Sequence, residues 1–352
     1  MSADSYLQAL WYGRSSSLPV LLLTPLSWLF RAGVALRRLA YRLGLLRAHQ
    51  VSRPVIVVGN LSVGGTGKTP FTLWLAARLR ARGHVPGIVL RGYGGHSTTW
   101  PRDVAPDSDA REVGDEAVLL AMESGGIVVA GPDRVAAARR AIERGANLVI
   151  CDDGLQHYRL ARDCEFAVVD ALRGLGNGRL LPAGPLREPA GRLSKVDAVV
   201  LRAPAPASAL PVTSRVIAGT ASSASFAVVP TAVRSLQSGE ERPLAAFAGQ
   251  SVHAVAGIGY PAGFFATLQA AGLLVIPHPL PDHATISPAT FQFGDSLPVL
   301  MTGKDAVKCR GFDDARLWVV AAEASVETAQ AAALLAIVEA RIANRALPTA
   351  HR

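Results

Sequence analysis

The chain has 352 residues, 50% of them hydrophobic, which is enough apolar material for two packed α/β units rather than one. A formal net charge of +9 indicates an acidic partner: nucleic acid, a phosphorylated substrate or an anionic membrane surface. The three cysteines include no Cys-x-x-Cys pair, which argues against a disulfide framework or a structural zinc site and fits a reducing compartment.

The N-terminus combines an apolar segment with a run of arginines. Residues 18–30 are almost wholly apolar, but a helix of that length reaches only about 20 Å, less than the roughly 30 Å hydrocarbon core of a bilayer. Residues 31–53 then contain six arginines and no acidic residue. The pattern favours a helix lying on an anionic membrane surface over a helix packed on the protein, a membrane span or a cleaved signal peptide.

A glycine-rich segment follows at residues 54–70. Its apolar, β-branched run 55–58 predicts a buried strand, the glycines predict a turn, and Lys68 opens a segment with helical spacing. Strand, glycine loop and helix start in that order form a phosphate cradle, because backbone N–H groups converge on phosphate oxygens at the positive end of the helix. The predicted nucleotide-binding residues are Ser62, Val63, Gly64, Gly65, Thr66, Gly67, Lys68 and Thr69.

Two residues of this loop have individual predicted roles. Lys68 would reach the β- and γ-phosphates of ATP, and the Thr69 hydroxyl would contact Mg²⁺. Ser62 stands where the pattern G-x-x-x-x-G-K-[ST] has its first glycine. The alternative interpretation is an ordinary glycine-rich turn between a strand and a helix.

Helix and strand patterns alternate after the loop. The predicted helices cover 72–82, 117–122 and 132–144, and the predicted strands cover 87–90, 127–130, 147–152, 166–170 and 197–201. This alternation predicts an α/β fold with a parallel, doubly wound sheet of the P-loop NTPase type. Ligands bind such sheets beyond the carboxyl ends of the strands, where nearly every motif of this chain falls.

The second half of the chain predicts a smaller α/β domain. Residues 203–214 are rich in Ala, Pro and Ser and predict a linker. The elements predicted after it are strands within 216–236, at 273–276 and at 297–301, and helices at 264–271 and 326–346. The predicted division is a membrane-associated helical segment at 1–50, a P-loop domain at 51–214 and a C-terminal domain at 215–352.

Two neighbouring carboxylates end a predicted buried strand. Asp152 and Asp153 follow an apolar run, which is typical of the strand that anchors a metal ion in P-loop proteins. A carboxylate there can hold Mg²⁺ opposite the Thr69 hydroxyl. The alternative is a turn aspartate next to a helix cap.

A second acidic pair, Asp115 and Glu116, opens a predicted helix after Gly114. One carboxylate can accept the proton of an attacking hydroxyl while the other binds metal, and phosphoryl transfer needs little else beyond positioning and charge neutralisation. Asp115 is equally interpretable as a helix cap.

Isolated basic residues complete the candidates. His283, in Pro281-Asp-His283, can share the proton of Asp115 across a cleft, although a lone histidine is more often an ordinary core or surface residue. Arginines at glycine- or proline-rich loops can clamp phosphate oxygens, but each alone is more often solvated or ion-paired. These candidates are Arg91, Arg134 and Arg187, and Lys304 and Lys308 remain undecided between the same alternatives.

Together these segments resemble the tetraacyldisaccharide 4′-kinase family, the lipid A kinases of Gram-negative bacteria. The phosphate loop alone indicates only an NTPase, whereas the set in order is highly specific. The matching stretches are Val58-Gly-Asn-Leu-Ser-Val-Gly-Gly-Thr-Gly-Lys-Thr-Pro70, Arg91-Gly-Tyr-Gly94, Val113-Gly-Asp-Glu116, Asp152-Asp-Gly-Leu-Gln-His157, Gly176-Asn-Gly178, Leu181-Pro-Ala-Gly-Pro-Leu-Arg-Glu-Pro189, Gly257-Ile-Gly259, Asp282-His283 and residues 302–308.

The resemblance implies an enzyme that transfers the γ-phosphoryl group of ATP to the 4′-hydroxyl of a tetraacyl-glucosamine disaccharide 1-phosphate. It implies a monomer attached by its N-terminal segment to the anionic cytoplasmic face of the inner membrane. It also assigns residue roles: Asp115 with His283 as the base, Lys68 on the phosphates, Thr69, Glu116 and Asp152 on Mg²⁺, Asp153 in support, and Arg91, Tyr93, Arg134, His157 and Arg187 toward the substrate.

Three positions depart from the family's usual pattern. Tyr260 replaces the usual Asn after Gly-Ile-Gly, Gly303 replaces the usual Glu in Thr-Glu-Lys-Asp, and Ala284 replaces a common His. All three lie in the C-terminal half, so they affect the expected contacts of the second domain rather than the phosphate loop and the acidic pairs.

Two rival functions belong to other classes. A P-loop ATPase or kinase with a soluble acceptor would turn over ATP regardless of lipid, and a nucleotide-gated membrane binding module would phosphorylate nothing. Nucleic-acid binding is disfavoured, because the arginines adjoin an apolar segment rather than interleaving exposed aromatic residues in a groove.

Overall fold

The computed structural model describes residues 3–13, 18–203, 222–282 and 284–346. The predicted domain boundary at residue 214 and most of the predicted linker lie in 204–221, outside the described residues. His283 also lies outside them.

The described secondary structure is mixed α/β. Its helices are α1 (Ala3–Tyr12), α2 (Leu18–Arg42), α3 (Lys68–Arg80), α4 (Ala110–Val113), α5 (Asp115–Ser124), α6 (Arg134–Glu143), α7 (Pro261–Ala270), α8 (Gly303–Ala306) and α9 (Thr328–Ala346). Its strands are β1 (Val55–Gly59), β2 (Pro86–Leu90), β3 (Arg102–Asp103), β4 (Ile127–Ala130), β5 (Leu148–Asp152), β6 (Cys164–Asp170), β7 (Ala198–Ala203), β8 (Ser222–Ser235), β9 (Glu241–Arg242), β10 (Ser251–Ala256), β11 (Leu274–Pro279), β12 (Val299–Thr302) and β13 (Leu317–Val326).

The described strands form one sheet in the order β11-β10-β12-β13-β8-β7-β6-β1-β5-β2-β4-β3, and β9 pairs with β8. Strand β1 lies between β5 and β6, parallel to both, and β2 continues the parallel arrangement beyond β5. The short strand β3 is antiparallel at one edge. The predicted α/β fold with a mostly parallel sheet is therefore confirmed, and the carboxyl ends of β1, β2 and β5 share one edge of the sheet.

A strand missing from the sequence prediction joins the two halves of the sheet. Strand β13 pairs antiparallel with β8 from Trp318 opposite Ser235 to Val326 opposite Phe226, and β8 in turn runs parallel to β7. The first residues of β13, Leu317-Trp-Val-Val320, are typical of a strand, whereas the following Ala-Ala-Glu-Ala has a low strand propensity, and the sequence prediction did not include this run. Pairing with a distant partner strand decides its conformation.

An aromatic cluster fixes helix α3 against the sheet. Phe71, on α3, is fully buried and stacks on Trp74 with a centroid distance of 5.4 Å. The ring of Phe71 also meets Phe166 of β6 edge-on at 5.8 Å and Phe226 of β8 at 5.7 Å. Burial of several aromatic rings contributes a few kcal/mol per residue, so this packing holds the N-terminus of α3 rigidly at the sheet edge.

Helix α2 joins the apolar segment and part of the arginine segment into one helix. Its 25 residues span about 37 Å. The helix is longer than the predicted 13-residue apolar segment, because it continues through the arginines. By length and composition α2 could cross a membrane. The core helix of a soluble protein or a signal sequence can have the same length and composition.

Polar contacts attach α2 to the sheet domain. The hydroxyl of Ser27 is buried, donates to the carbonyl of Leu180 at 2.8 Å and accepts from the backbone N–H of Ala183 at 3.0 Å. The opposite face presents leucines to the surroundings, with Leu22 and Leu29 each 70% exposed. One side of α2 is thus anchored to the protein while the other side is apolar and uncovered.

Candidate active site

The phosphate loop connects β1 to α3 at the carboxyl edge of the sheet. Gly67 precedes α3 with φ of 85°, a left-handed conformation that favours glycine, and a Cβ there would lie 2.7 Å from Arg202 Cδ. Asn60 Nδ2 donates to Thr66 Oγ1 at 3.0 Å, and Val63 N donates to the carbonyl of Pro185 at 2.8 Å. These bonds hold the loop open at the helix N-terminus, as a phosphate cradle requires.

Lys68 and Arg187 surround the carboxylate of Asp153. Lys68 Nζ lies 3.5 Å from Asp153 Oδ1, and Arg187 Nη1 donates to both carboxylate oxygens at 3.0 and 2.9 Å. Burial raises the pKa of Asp153, but the two cations outweigh it and lower the pKa to about 2. Asp153 also has φ of 50°, which is unusual for a non-glycine residue and directs its side chain toward the loop.

Asp152 has the opposite electrostatic environment. It is 3% exposed and accepts from the Thr72 hydroxyl at 3.1 Å. Burial raises its pKa to about 7; nearby Lys68 lowers the pKa, and the negative charges of Glu116 and Asp153 raise it further. Two adjacent aspartates therefore differ in protonation at neutral pH because one faces cations and the other is buried beside anions.

The second acidic pair contacts lysines from the C-terminal half of the chain. Asp115 is buried at the start of α5, where Lys308 Nζ lies 3.3 Å from its Oδ2. Lys304 Nζ lies 3.5 Å from Glu116 Oε1 and 2.8 Å from Asp282 Oδ1. The sequence left both lysines undecided; the structure brings them to Asp115 and Glu116.

Asp115 is the first residue of α5, directly after Gly114, which has no side chain to cap the helix. Asp115 Oδ1 accepts from the backbone N–H of Glu116 at 2.9 Å, so its carboxylate also contacts the first turn of the helix. A Cβ on Gly114 would lie 2.4 Å from the carbonyl oxygen of Tyr93, so the loop after β2 packs directly against the start of α5. This packing sets Tyr93 beside the acidic pair.

The remaining predicted substrate residues differ in exposure. Arg91 and Tyr93 follow β2 and are exposed, whereas Arg134 is 4% exposed and donates to the carbonyl of Gly131 at 2.8 Å. Within the described residues, Arg134 Nε and His157 Nε2 are buried without a hydrogen-bond partner. Burial and the charges of Arg134 and Arg162 lower the pKa of His157 to about 4, so its imidazole is neutral at neutral pH.

The sequence reading missed two residues at this site. The Thr72 hydroxyl contacts Asp152, and its position four residues after Lys68 was the available signal. Arg173 reaches the phosphate loop from the turn after β6, and Arg173 Nη1 lies 3.5 Å from the carbonyl oxygen of Gly65. Nothing local in the sequence connects residue 173 with residue 65.

A phosphate loop between a buried central strand and its helix, with acidic residues ending the neighbouring strand β5, defines a P-loop phosphotransfer protein. The family model for tetraacyldisaccharide-1-P 4′-kinase matches residues 19–340. The chain belongs to this family and is therefore an ATP-dependent kinase, as the resemblance predicted.

Individual relatives agree with the family model. The chain is 50% identical over 333 residues to the tetraacyldisaccharide 4′-kinase of Alkalilimnicola ehrlichii, covering 92% of this chain and 94% of that protein. It is 48% identical to the enzyme of the same name from Pseudomonas aeruginosa, with the same coverage. The crystal structure of LpxK from Aquifex aeolicus in complex with ATP superposes with a TM-score of 0.76 at 28% identity, covering 92% of this chain and 100% of that chain.

Proposed function

We propose that the chain transfers the γ-phosphoryl group of ATP to the 4′-hydroxyl of a tetraacyl-glucosamine disaccharide 1-phosphate. The observation that carries the proposal is the convergence of Lys68 and the carboxylates of Asp152 and Asp153 at the phosphate loop. The relatives' name supplies the acceptor, and the ATP complex of the Aquifex aeolicus protein supports the donor.

In the proposed reaction the 4′-hydroxyl oxygen forms a bond to the γ-phosphorus while the bond from that phosphorus to the β–γ bridging oxygen breaks, leaving ADP. The hydroxyl proton passes to the carboxylate of Asp115, with His283 as its proposed partner. Lys308, 3.3 Å from Asp115, orients the carboxylate and balances its charge in the resting enzyme. Lys68 neutralises negative charge on the phosphates as transfer proceeds.

The residues around Asp152 fit a magnesium ion. Hard oxygen donors are available from Asp152, Glu116 and the Thr69 hydroxyl, and Mg²⁺ prefers one or two carboxylates together with substrate phosphates. Burial chiefly raises the pKa of Asp152, and the negative charges of Glu116 and Asp153 raise it further; a divalent cation would offset these charges. Among the described residues no group of three His, Cys, Asp or Glu side chains is arranged to hold a metal ion, so the proposed site would need phosphate oxygens of the nucleotide as further ligands. When bound, Mg²⁺ would neutralise charge on the triphosphate.

This assignment predicts a pH-dependent demand for Mg²⁺. Because the pKa of Asp152 is about 7, the carboxyl is mostly protonated at pH 6 and mostly ionised at pH 8. Metal must displace that proton, so the free Mg²⁺ concentration for half-maximal activity should fall about tenfold from pH 6 to pH 8. This concentration is measured by titrating Mg²⁺ into the phosphoryl-transfer assay at saturating ATP. Asp152→Asn should have lower activity, and its Mg²⁺ requirement should change with pH only through protonation of the nucleotide. If the Mg²⁺ requirement of the wild type changes with pH in the same way as that of Asp152→Asn, the assignment is wrong.

The acceptor would meet a set of basic and aromatic side chains. Arg134 Nε and His157 Nε2 are buried without a hydrogen-bond partner among the described residues, so they would bond the acceptor if its binding exposes them, and a neutral His157 can hydrogen-bond without adding charge. Arg187 already bonds Asp153, so it would link the acceptor or its phosphate to the catalytic carboxylates. Arg91 and Tyr93 would contribute from the exposed loop after β2. Nucleic acid is not a proposed partner, and the enzyme is proposed to act as a monomer.

Helix α2 is proposed to hold the enzyme at the anionic cytoplasmic face of the inner membrane of a Gram-negative bacterium. The acceptor is a lipid, so a membrane-attached enzyme meets it where it is embedded. The exposed leucines would enter the acyl-chain region, and the arginines at the C-terminal end of α2 would meet anionic headgroups.

Replacing two exposed leucines should release the protein from vesicles. Leu22 and Leu29 lie two helical turns apart on one face, and burial of a leucine side chain contributes about 1.5–3 kcal/mol. Leu22→Ser with Leu29→Ser should therefore weaken binding to anionic vesicles at least about tenfold, as measured by sedimentation at limiting lipid. Leu274→Ser, at a similarly exposed position on β11, is the matched control. Unchanged sedimentation of the double variant would refute the assignment.

The activity is tested by incubating labelled ATP with the lipid disaccharide 1-phosphate and separating the products by chromatography. Label in the 4′-phosphorylated lipid is the expected result. Label in a soluble acceptor, or ATP hydrolysis indifferent to lipid, would favour a soluble-substrate kinase or ATPase. Slow hydrolysis with no labelled acceptor would favour a nucleotide-gated binding module. Either of these two outcomes overturns the proposal.

A further inference from the structure

Arg173 lies against the middle of the phosphate loop. Its Nη2 is 3.2 Å from the position that a Cβ on Gly64 would occupy, and its Nη1 is 3.5 Å from the carbonyl oxygen of Gly65. The backbone of Arg173 is itself fixed, since its N–H donates to Asp170 Oδ1 at 3.0 Å in the turn after β6. A guanidinium group is thus held at the loop by the adjoining strand.

Two tyrosine rings flank this guanidinium group. The Arg173 Cζ lies 4.1 Å from the ring centroid of Tyr12, on α1, and 5.4 Å from that of Tyr260, which precedes α7. Aromatic faces stabilise an arginine by cation–π attraction and keep its planar donors in one orientation, without neutralising its charge. Tyr260 is one of the positions at which this chain departs from the usual family residue.

Neighbouring arginines at the same edge have carboxylate partners, whereas Arg173 has none among the described residues. Arg187 bonds Asp153, and Arg202 Nη1 lies 3.7 Å from Asp170 Oδ2. Lys68, at the end of the same loop, lies 3.5 Å from Asp153 Oδ1. The described residues thus place the half-buried guanidinium of Arg173 against the loop without a carboxylate to neutralise its charge, which favours an anionic ligand there.

We propose that Arg173 contacts the γ-phosphate of the nucleotide bound in the loop, as a second cationic ligand beside Lys68. The inference rests on the proposed function for the presence of a triphosphate. The planar guanidinium can donate two parallel hydrogen bonds to phosphate oxygens, and it stabilises the charge that develops as the γ-phosphoryl group leaves ADP. Tyr12 and Tyr260 are positioning residues that hold the donors toward the loop.

The alternative interpretation is that Arg173 has a purely structural role. In that case Arg173 only packs α1 and the residue before α7 against the phosphate loop through its two ring contacts. A structural residue would affect the binding of ADP and ATP equally, whereas a ligand of the γ-phosphate affects the binding of ATP alone. The ratio of ATP affinity to ADP affinity therefore separates the interpretations.

The experiment uses the full chain with Arg173→Gln and Arg173→Lys. Arg173→Gln should lower kcat about 10²-fold or more, since arginines that stabilise phosphoryl transfer contribute roughly 10³–10⁵-fold in other enzymes. It should weaken binding of a non-hydrolysable ATP analogue about tenfold or more while leaving ADP affinity within twofold, because the charge-assisted hydrogen bonds to the γ-phosphate are lost. Arg173→Lys keeps the charge but not the planar fork, so it should recover part of kcat.

Arg82→Gln is the matched control, because Arg82 is an exposed arginine that forms a surface ion pair with Glu339. Melting temperatures show that the variants fold. The inference is overturned if folded Arg173→Gln retains kcat, or if both nucleotides lose affinity equally. If wild-type protein fails to phosphorylate the lipid acceptor while Arg173→Gln still alters the ATP-to-ADP affinity ratio, the proposed acceptor is wrong and the role of Arg173 stands.

Discussion

Lys68→Ala is expected to reduce phosphoryl transfer by about 10³-fold or more. Removing one neutral hydrogen-bond donor from a developing anion already costs about 10²–10³-fold, and Lys68 provides a full positive charge. It also lowers the pKa of both Asp152 and Asp153, so its loss would favour protonation of the carboxylates that the proposed magnesium site needs. Steady-state transfer of label from ATP to the lipid acceptor measures the effect.

Lys195→Ala is the matched control for this variant, because Lys195 is an exposed lysine at the end of a short 3₁₀ segment, Ala190–Lys195, on the surface. The control should keep wild-type turnover. A Lys68→Ala protein that folds and retains more than about one tenth of the wild-type rate would be incompatible with a phosphate-binding lysine. The loop within residues 54–70 would then be an ordinary glycine-rich turn between a strand and a helix.

Asp115→Asn is expected to lower kcat by about 10²–10⁴-fold with little change in ATP affinity. Positioned general bases typically contribute that factor, and an amide cannot accept the proton of the 4′-hydroxyl. The asparagine oxygen can still accept from the backbone N–H of Glu116, which Asp115 Oδ1 does at 2.9 Å. The substitution therefore removes the basic function while preserving the local hydrogen bond at the start of α5.

The helix-cap alternative for Asp115 makes the opposite prediction. A cap is preserved in Asp115→Asn and lost in Asp115→Ala, which would reduce stability by about 0.5–2 kcal/mol without a matching loss in the asparagine variant. Asp109→Asn is the matched control, because Asp109 caps the neighbouring helix α4 by accepting from the N–H of Arg111. Near-normal turnover in Asp115→Asn would exclude Asp115 as the base.

These two variants test different halves of one reaction. Lys68 is proposed to act on the donor phosphates, so its loss should affect ATP hydrolysis in the absence of acceptor as well as transfer. Asp115 is proposed to act on the acceptor hydroxyl, so its loss should affect transfer alone. If Asp115→Asn loses ATP hydrolysis as well as phosphoryl transfer, Asp115 belongs to the nucleotide site instead.

The local parts of the fold were predictable from the sequence. The strand at 127–130 has the predicted bounds, and β1, the glycine loop and α3 follow in the predicted order. Each of these signals is short-range: a β-branched run buries itself as a strand, and glycines permit the left-handed backbone at Gly67. The carboxyl-edge location of the motifs follows from the βα alternation, because parallel strands share one orientation.

Contacts between distant segments were not predictable in the same way. The antiparallel pairing of β13 with β8 joins residues almost 100 positions apart, and the Ser27 hydrogen bonds to residues 180 and 183 select one face of α2. Lys304 and Lys308 carried no local signal that would connect them with an acidic pair almost 200 residues earlier. Arg173 was overlooked for the same reason.

The phosphate loop, the acidic strand end and the family could be identified from the amino-acid sequence, because they depend on residue types at fixed short spacings along the chain. The pairing of cations with carboxylates required the folded structure, which explains why the pKa of Asp152 is about 7 while that of its neighbour Asp153 is about 2. The physical reason is that burial and Coulomb interactions depend on distances through space, which a linear pattern does not specify.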